Sequence, residues 1–190
     1  MKSTEKHRRG NPGERAGAGR PAILAALLVL SALAPALAAD LEGRVVAIVD
    51  GDTLDLLTAE QRTVRVRLAE IDAPEHRQAF GTRAREALSD LAFGKAARVE
   101  LVDRDRWGRI VGRVYVGVFR EPGATPIELE INSDLVRQGF AWVFRKYRHR
   151  PALLELETDA KANRRGLWAD VAPVPPWEWR RARKRTPGTT

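Results

Sequence analysis

The chain has 190 residues, of which 44% are hydrophobic, 6% aromatic and 31% charged. This length predicts one domain with terminal segments and no second full core, and the hydrophobic content argues against a wholly disordered chain. Cysteine is absent, which excludes disulfides, thiolate metal sites and a cysteine nucleophile.

The formal net charge of +8 does not describe the predicted domain. Basic and acidic residues are equal in number between positions 39 and 170, so the whole excess lies in the two terminal segments. Contact with a polyanion would therefore depend on local patches rather than on a general positive field.

The first segment has the features of an export signal. Lysines and arginines are frequent in residues 1–20, and an uncharged stretch from Ala22 closes on Ala-Leu-Ala at Ala38. We therefore expect residues 1–38 to be a signal peptide and the mature protein to be periplasmic or extracellular, with no stable membrane association after cleavage. An uncleaved anchor is the alternative, although about 17 uncharged residues are short for a bilayer that needs roughly 20.

Three β-strands open the predicted domain, which we place at residues 39–170. Leu41–Val49 and Thr53–Thr58 are β-rich, and the Asp-Gly pair between them is a strong hairpin signal. Apolar and polar residues alternate in Thr63–Leu68, which places Arg65 and Arg67 side by side on one surface of a third strand.

A helix and two further strands follow. Apolar residues recur at helical spacing from about Thr82 to Phe93, and Gly94 ends that pattern. Ala97–Val102 and Ile110–Val118 are predicted to be strands joined by a turn. Five strands with one inserted helix predict a small barrel.

The end of the domain is predicted to be helical. Asn132 or Ser133 can cap a short helix that runs to Gln138, and Pro151 suits the first turn of a helix that Gly166 closes. The predicted fold class is therefore α+β, a five-stranded barrel with about three helices.

Residues 171–190 form a basic segment rich in proline and tryptophan. We expect this tail to pack on the domain through Trp177 and Trp179, because large exposed apolar groups are uncommon on monomers. Extension of a nucleic-acid surface is the alternative, since Arg180 and Arg181 adjoin the tryptophans.

Acidic side chains are predicted at a turn and at a strand end. Asp52 lies in the first hairpin turn, and Asp72 and Glu75 follow the third strand. Carboxylates that converge from such places can hold a hard cation, and calcium tolerates irregular shells of oxygen ligands completed by water. Ordinary turn chemistry is the alternative for each motif alone.

Arginines accompany these acids. Arg67 lies on the strand that leads to Asp72, and Arg109 follows the turn between the last two strands. Guanidinium groups bind phosphate oxygens in a bidentate manner. Solvated ion pairs on the barrel surface are the alternative.

Four motifs occur in a fixed order along the chain. They are Val49-Asp50-Gly51-Asp52-Thr53, Arg67-Leu68-Ala69-Glu70-Ile71-Asp72-Ala73-Pro74-Glu75, Asp105-Arg106-Trp107-Gly108-Arg109 and Leu135-Val136-Arg137-Gln138-Gly139. Over about Glu42–Asp170 the chain thereby resembles the staphylococcal nuclease family, the thermonucleases. The resemblance implies an oligonucleotide-binding-type (OB-type) barrel that cleaves the 5′ P–O bond of DNA and RNA with calcium and leaves 3′-phosphorylated products.

The resemblance also implies ligands for the calcium ion. Asp52 and Asp72 match the family's calcium carboxylates, and Ala73 matches the residue that lends its backbone carbonyl. The family often has threonine at this last position, but a main-chain ligand survives the change to alanine.

Catalytic and substrate-binding roles are implied in the same way. Glu75 matches the acid that positions or deprotonates the attacking water, and Arg67 and Arg109 match the two phosphate-binding arginines. Trp107 stands where the family usually has tyrosine, and Tyr147 is the one clear candidate for its nucleotide-pocket tyrosines. The basic, aromatic segment around Tyr147 can stack bases and hold phosphates; an ordinary solvated loop is the alternative.

The sequence therefore predicts an exported, monomeric, calcium-dependent nuclease that acts on DNA and RNA. A catalytically silent barrel that binds nucleic acid or a protein is the alternative, because fold alone does not fix function. The complete set of acids and arginines favours the enzyme, and a structural protein held at the cell surface by its leader would leave that set unexplained.

Overall fold

A computed structural model describes residues 40–119, 125–145 and 150–185. The predicted signal peptide, residues 1–38, and the candidate substrate residue Tyr147 lie outside these ranges. No helix in the described part of the chain is long and apolar enough to cross a membrane.

In the described residues eight strands form two sheets, and the larger sheet closes into a five-stranded barrel. The strands are β1 (Leu41–Ile48), β2 (Thr53–Thr58), β3 (Thr63–Leu68), β4 (Ile71–Asp72), β5 (Ala96–Arg104), β6 (Ile110–Val118), β7 (Ile127–Glu130) and β8 (Trp142–Val143). The large sheet has the order β3-β2-β1-β5-β6-β7, and a further pairing of β3 with β6 closes it. The α+β fold with a five-stranded OB-type barrel is therefore confirmed.

Strand β3 shows how the sequence pattern builds the barrel wall. Val66 and Leu68 are buried inside, whereas Arg65 and Arg67 project from the other side, as strand alternation requires. The strand pairs antiparallel with β2 and parallel with β6, where Arg67 lies opposite Val111. The barrel closes at the strand that carries a predicted catalytic arginine.

Four α-helices and a short 3-10 helix complete the part of the domain that the structure describes. They are α1 (Gly81–Ala92), α2 (Ile131–Arg137), α3 (Pro151–Ala162), the 3-10 helix Gly166–Ala169 and α4 (Pro176–Arg185). Buried Leu88 of α1, Leu135 of α2 and Leu153 of α3 belong to the same core as the inner faces of the strands.

Pro151 occupies the first turn of α3 as predicted, but Gly166 does not close that helix. The helix ends at Ala162, and the chain turns through Arg164, whose φ is 51°. Gly166 instead opens the 3-10 helix, where an added Cβ would lie 2.3 Å from the carbonyl oxygen of Gly139. Local sequence showed a helix-ending residue but not this close approach of two loops.

The prediction that Asn132 or Ser133 caps α2 is wrong. The helix begins at Ile131 with no side-chain cap, and the buried Asn132 amide faces the barrel. It accepts a hydrogen bond from the Val114 N–H at 3.0 Å and donates to the carbonyls of Ala69 at 2.9 Å and Gly112 at 3.2 Å. A buried amide needs such partners, so tertiary contacts determine its role.

The C-terminal segment packs on the domain, as its tryptophans predicted. The ring of Trp177 lies 5.7 Å from that of Trp142 and 6.0 Å from that of Phe144. Gln78 Nε2 donates to the carbonyl of Val174 at 2.5 Å. Helix α4 is thus a fixed part of the described domain rather than a free tail.

Candidate active site

The first hairpin turn delivers one buried carboxylate. The Val49 N–H donates to the carbonyl of Thr53 at 2.9 Å, and the Asp52 N–H donates to Asp50 Oδ1 at 3.0 Å. The Asp52 side chain is held by the Thr53 hydroxyl, which donates to Oδ1 at 3.0 Å. A turn closed by its own side chains therefore fixes the direction of Asp52.

Gly51 allows this turn to approach the rest of the site. A Cβ at this position would lie 2.7 Å from the Cβ of Ala73 and 2.8 Å from that of Ala84, closer than carbon atoms can pack. The turn therefore sits directly on the segment that follows β4, and any side chain at Gly51 would push the two apart.

Strand β4 delivers the second carboxylate. Asp72 pairs with Trp142 of β8, and its side chain is almost fully buried, with 1% exposed. The next residue, Ala73, donates its N–H to Asp52 Oδ2 at 3.2 Å. The three predicted metal-binding residues are therefore neighbours, although 20 positions of chain and two strands separate Asp52 from Asp72.

Arg67 bridges the two carboxylates. Its Nη2 lies 3.2 Å from Asp52 Oδ2 and 3.2 Å from Asp72 Oδ1, and it lies 3.4 Å from the carbonyl oxygen of Ile71. Because one guanidinium nitrogen contacts both acids, the carboxylates of Asp52 and Asp72 point to the same place on the barrel surface.

Acidic side chains at this place outnumber the arginines that contact them. Burial raises the pKa of Asp72 above its ordinary value, and the charge of Asp52 adds to the effect although Arg180 and Arg67 oppose it. Burial and the charge of Asp52 likewise raise the pKa of Asp50 to about 6. A cation bound among these acids would relieve the repulsion.

The donor chemistry fits a hard divalent cation. Two buried carboxylates with a backbone segment beside them offer only oxygen ligands, the type that calcium and magnesium prefer. No three acidic or histidine side chains within the described ranges converge on one metal position, so water and substrate would have to complete the shell. Calcium accepts such incomplete protein shells.

Arg180 is a site residue whose contacts the sequence did not predict. Its Nη2 lies 2.6 Å from Asp72 Oδ2 and its Nη1 lies 3.2 Å from Asp72 Oδ1. The same Nη1 donates to Glu75 Oε1 at 2.6 Å, which places the predicted water-activating acid beside the carboxylate cluster. The one available signal was the spacing of Trp177 and Arg180, which puts both on one face of a helix.

Arg109 and Trp107 form a second cluster at the β5–β6 turn. Arg109 Nε donates to Asp105 Oδ2 at 2.6 Å, and the N–H groups of Arg109 and Trp107 donate to Asp105 Oδ1 at 3.0 and 2.9 Å. The Trp107 side chain is 67% exposed, and the guanidinium carbon of Arg106 lies 4.2 Å from its ring centroid. This turn displays an aromatic surface flanked by arginines.

Within the part of the chain that the structure describes, no hydrogen bond or ion pair joins Arg109 to Asp52 or Asp72. The backbone position of Arg109 is nevertheless close, because Val111, two residues further along β6, is the register partner of Arg67 on β3. Arg109 immediately precedes β6, so its backbone lies at the start of the strand that pairs with the strand of Arg67.

The chain is similar to proteins of a known family. Residues 65–170 match the family model described as staphylococcal nuclease homologue. The chain is 46% identical to a micrococcal nuclease of Shigella flexneri over 164 residues, which cover 85% of this chain and 92% of the relative. It is 46% identical to the protein ParB of Escherichia coli over 159 residues, covering 83% and 88%, and 42% identical to an uncharacterised endonuclease of Escherichia coli over 146 residues, covering 77% and 89%.

Proposed function

Because the chain belongs to the staphylococcal nuclease homologues and is a nuclease of that family, we propose that it is an exported, calcium-dependent enzyme. It hydrolyses phosphodiester bonds of DNA and RNA and leaves 3′-phosphorylated products. The observation that carries the proposal is the convergence of Asp52 and Asp72 on Arg67, with Nη2 3.2 Å from each carboxylate.

Asp52, Asp72 and the backbone carbonyl of Ala73 are the groups proposed to hold calcium. Bound there, calcium polarises the phosphoryl oxygens and neutralises negative charge that develops on them. The raised pKa of Asp72, caused first by burial, supports this assignment because it marks a carboxylate that a cation would stabilise in its charged form.

Glu75 is proposed as the general base. Its Oε1 accepts a hydrogen bond from Arg180, while no described group contacts Oε2, which can take a proton from the attacking water. The water oxygen bonds to phosphorus as the bond from phosphorus to the 5′ oxygen breaks, and the departing 5′ oxygen takes a proton from solvent water to become a 5′-hydroxyl. The phosphate stays on the 3′ end of the fragment upstream of the cut.

Arg67 and Arg109 are proposed to neutralise the charge that grows on the non-bridging oxygens in the transition state. Their guanidinium groups suit this role because they bind phosphate oxygens in a bidentate manner. Neither arginine is proposed as the acid that protonates the leaving oxygen, since a guanidinium group keeps its proton throughout the physiological pH range.

Trp107 is proposed to contact the substrate by stacking on a base, since the residue is 67% exposed and its ring lies beside two arginines. Tyr147 is proposed as a second base contact on the strength of its sequence position. Export is proposed from the signal features of residues 1–38, and we propose that the exported protein acts as a monomer.

The test is digestion of single-stranded DNA, duplex DNA and RNA by the purified protein with calcium, with magnesium and a calcium chelator, and with chelator alone. We expect cleavage of all three substrates in calcium, 3′-phosphate ends, and poor activity in magnesium because the irregular site suits the larger ion. Full activity in magnesium without calcium would contradict the metal assignment.

Two variants link this activity to the site. Asp72→Asn removes one proposed ligand and is expected to abolish cleavage, whereas Asp90→Asn alters an exposed carboxylate on α1 and is the matched control. A folded wild-type protein that cleaves none of the substrates would instead indicate a barrel that binds without cutting.

A further inference from the structure

Arg180 reaches the acids from an element outside the barrel. Helix α4 begins at Pro176, and the contacts of Arg180 with Asp72 and Glu75 join positions 108 and 105 residues apart in the sequence. Its side chain remains 39% exposed, so solvent still reaches Arg180 while it contacts the carboxylates.

Arg180 binds one carboxylate oxygen of Glu75. Glu75 lies in an irregular stretch after β4, and its side chain is 41% exposed. Among the described residues, Arg180 is the only hydrogen-bond partner of the Glu75 carboxylate. The bond to Oε1 fixes the carboxylate while Oε2 stays available, which is the arrangement that a general base needs.

The helix that carries Arg180 is held firmly enough to position a catalytic group. Pro176 is buried, the Trp177 ring packs 5.7 Å from the ring of Trp142, and the Trp179 indole nitrogen is buried. Trp177 and Arg180 are three residues apart and therefore share one helix face. The packing that anchors α4 thus also directs Arg180 into the site.

The contact with Asp72 is compatible with a cation at the same carboxylate. A carboxylate offers about four lone-pair positions, and Arg180 and Arg67 together place three nitrogen contacts on Asp72. Arg180 makes no contact with Asp52 in the described structure, where Asp52 is held by Arg67, Thr53 and Ala73. The guanidinium therefore lies on the Glu75 side of the cluster rather than across both acids.

We propose that Arg180 is a positioning residue for the cleavage reaction, holding Glu75 next to Asp72 and supporting the orientation of both carboxylates. The inference rests on the proposed function, because it assigns Arg180 a role in that reaction. It makes the C-terminal helix part of the active site. Partners of this kind orient a metal ligand or a base by hydrogen bonding to it, and their loss lowers activity by about 10- to 100-fold.

The experiment compares Arg180→Ala, Arg180→Lys and the matched control Arg181→Ala, whose side chain is exposed on the same helix. We expect Arg180→Ala to lower kcat by about 10- to 100-fold with little change in KM, and Arg180→Lys to recover part of the loss. Arg181→Ala is expected to retain wild-type kcat.

Chemical rescue separates positioning from a purely structural role. Added guanidinium at about 50 mM, which barely changes the stability of a small protein, is expected to restore kcat of Arg180→Ala but not of Glu75→Gln. If the alanine variant does not fold, Arg180→Gln takes its place, and circular dichroism establishes folding in each case. A folded variant with normal or increased kcat, or one that guanidinium fails to rescue, would overturn the proposal.

Protein stability, which does not depend on catalysis, tests the contact between Arg180 and Glu75. In calcium-free buffer, the unfolding midpoints of Arg180→Ala, Glu75→Gln and the double variant should be non-additive if the two side chains interact; additive midpoints would overturn the proposed contact. Absence of cleavage by the wild-type protein would defeat the proposed function, whereas cleavage with a normal Arg180→Ala kcat would defeat this inference alone.

Discussion

Asp72 and Glu157 are both buried carboxylates, but their pKa values are shifted in opposite directions. Each side chain is only 1–2% exposed, and each is contacted by two cationic side chains. Burial and the charge of Asp52 raise the pKa of Asp72. Burial also opposes ionisation of Glu157, but a hydrogen bond from Lys161 and one from the Val143 N–H outweigh it and lower its pKa.

The difference lies in how many acids share the cations. Glu157 alone accepts from Arg145 at 3.0 Å, Lys161 at 2.7 Å and the Val143 N–H at 2.9 Å. Asp72 shares Arg67 with Asp52 and shares Arg180 with Glu75. A buried acid whose charge is fully balanced stabilises a fold, whereas a cluster with surplus negative charge is a site prepared for a cation.

After the loss of a proposed metal ligand, the next largest effect is expected at Glu75. Glu75→Gln removes the proposed base while keeping the side chain's size, and we expect kcat to fall by about 10²- to 10⁴-fold with nearly unchanged thermal stability. Steady-state kinetics with circular dichroism measures both, and Glu155→Gln, an exposed change on α3, is the control. An unfolded Glu75→Gln protein would place this acid with Glu157 among the structural groups.

The reverse pattern is expected at Glu157. Glu157→Gln weakens two charge-assisted hydrogen bonds at a buried position, which should cost about 2 kcal/mol of unfolding free energy, while kcat measured well below the midpoint stays at the wild-type value. Denaturant unfolding and the nuclease assay check the two quantities. A large loss of kcat in the folded variant would erase the contrast between the two carboxylates.

The smallest effect concerns Asp50, whose pKa is raised to about 6 by burial and by the charge of Asp52. A carboxyl with a raised folded-state pKa is penalised when ionised, so stability falls as pH rises from about 4 to about 6. Asp50→Asn should therefore stabilise the calcium-free protein by about 1 kcal/mol, after allowance for solvent screening, above this range.

The advantage of Asp50→Asn should disappear at a pH below about 4, where the wild-type carboxyl is also neutral. Unfolding midpoints recorded in chelator across this range provide the measurement. A variant that is less stable than wild type at neutral pH would show that the ionised Asp50 is favourably held in the folded protein.

Local patterns were sufficient where neighbouring residues determine the structure. The bounds of β3 follow from strict alternation, and the Asp-Gly pair marks the turn between β1 and β2. The cap assigned to Asn132 failed because the same amide can serve a helix end or a buried tertiary contact, and only the folded barrel supplies its partners on Ala69 and Gly112.

In the candidate site, too, some residues could be predicted from the sequence and others only from tertiary contacts. Motif order and family resemblance singled out Asp52, Asp72 and Arg67, and the structure brings them together. Arg180 lay beyond such reasoning because its contact depends on how α4 packs against Trp142 and Phe144. The balanced surroundings of Glu157 likewise arise only when α3 meets the strand end at Val143.

The central claim is that the acids around Asp72 bind calcium whereas Glu157 does not. Its most direct test is the thermal unfolding midpoint of the wild-type protein, Asp72→Asn and Glu157→Gln, each measured in calcium and in chelator. The account predicts that calcium at about 100 times its dissociation constant stabilises the wild-type protein by about 2.7 kcal/mol, that Glu157→Gln keeps this gain, and that Asp72→Asn loses it. A wild-type midpoint that calcium leaves unchanged, or a calcium-induced rise that persists in Asp72→Asn, would contradict it.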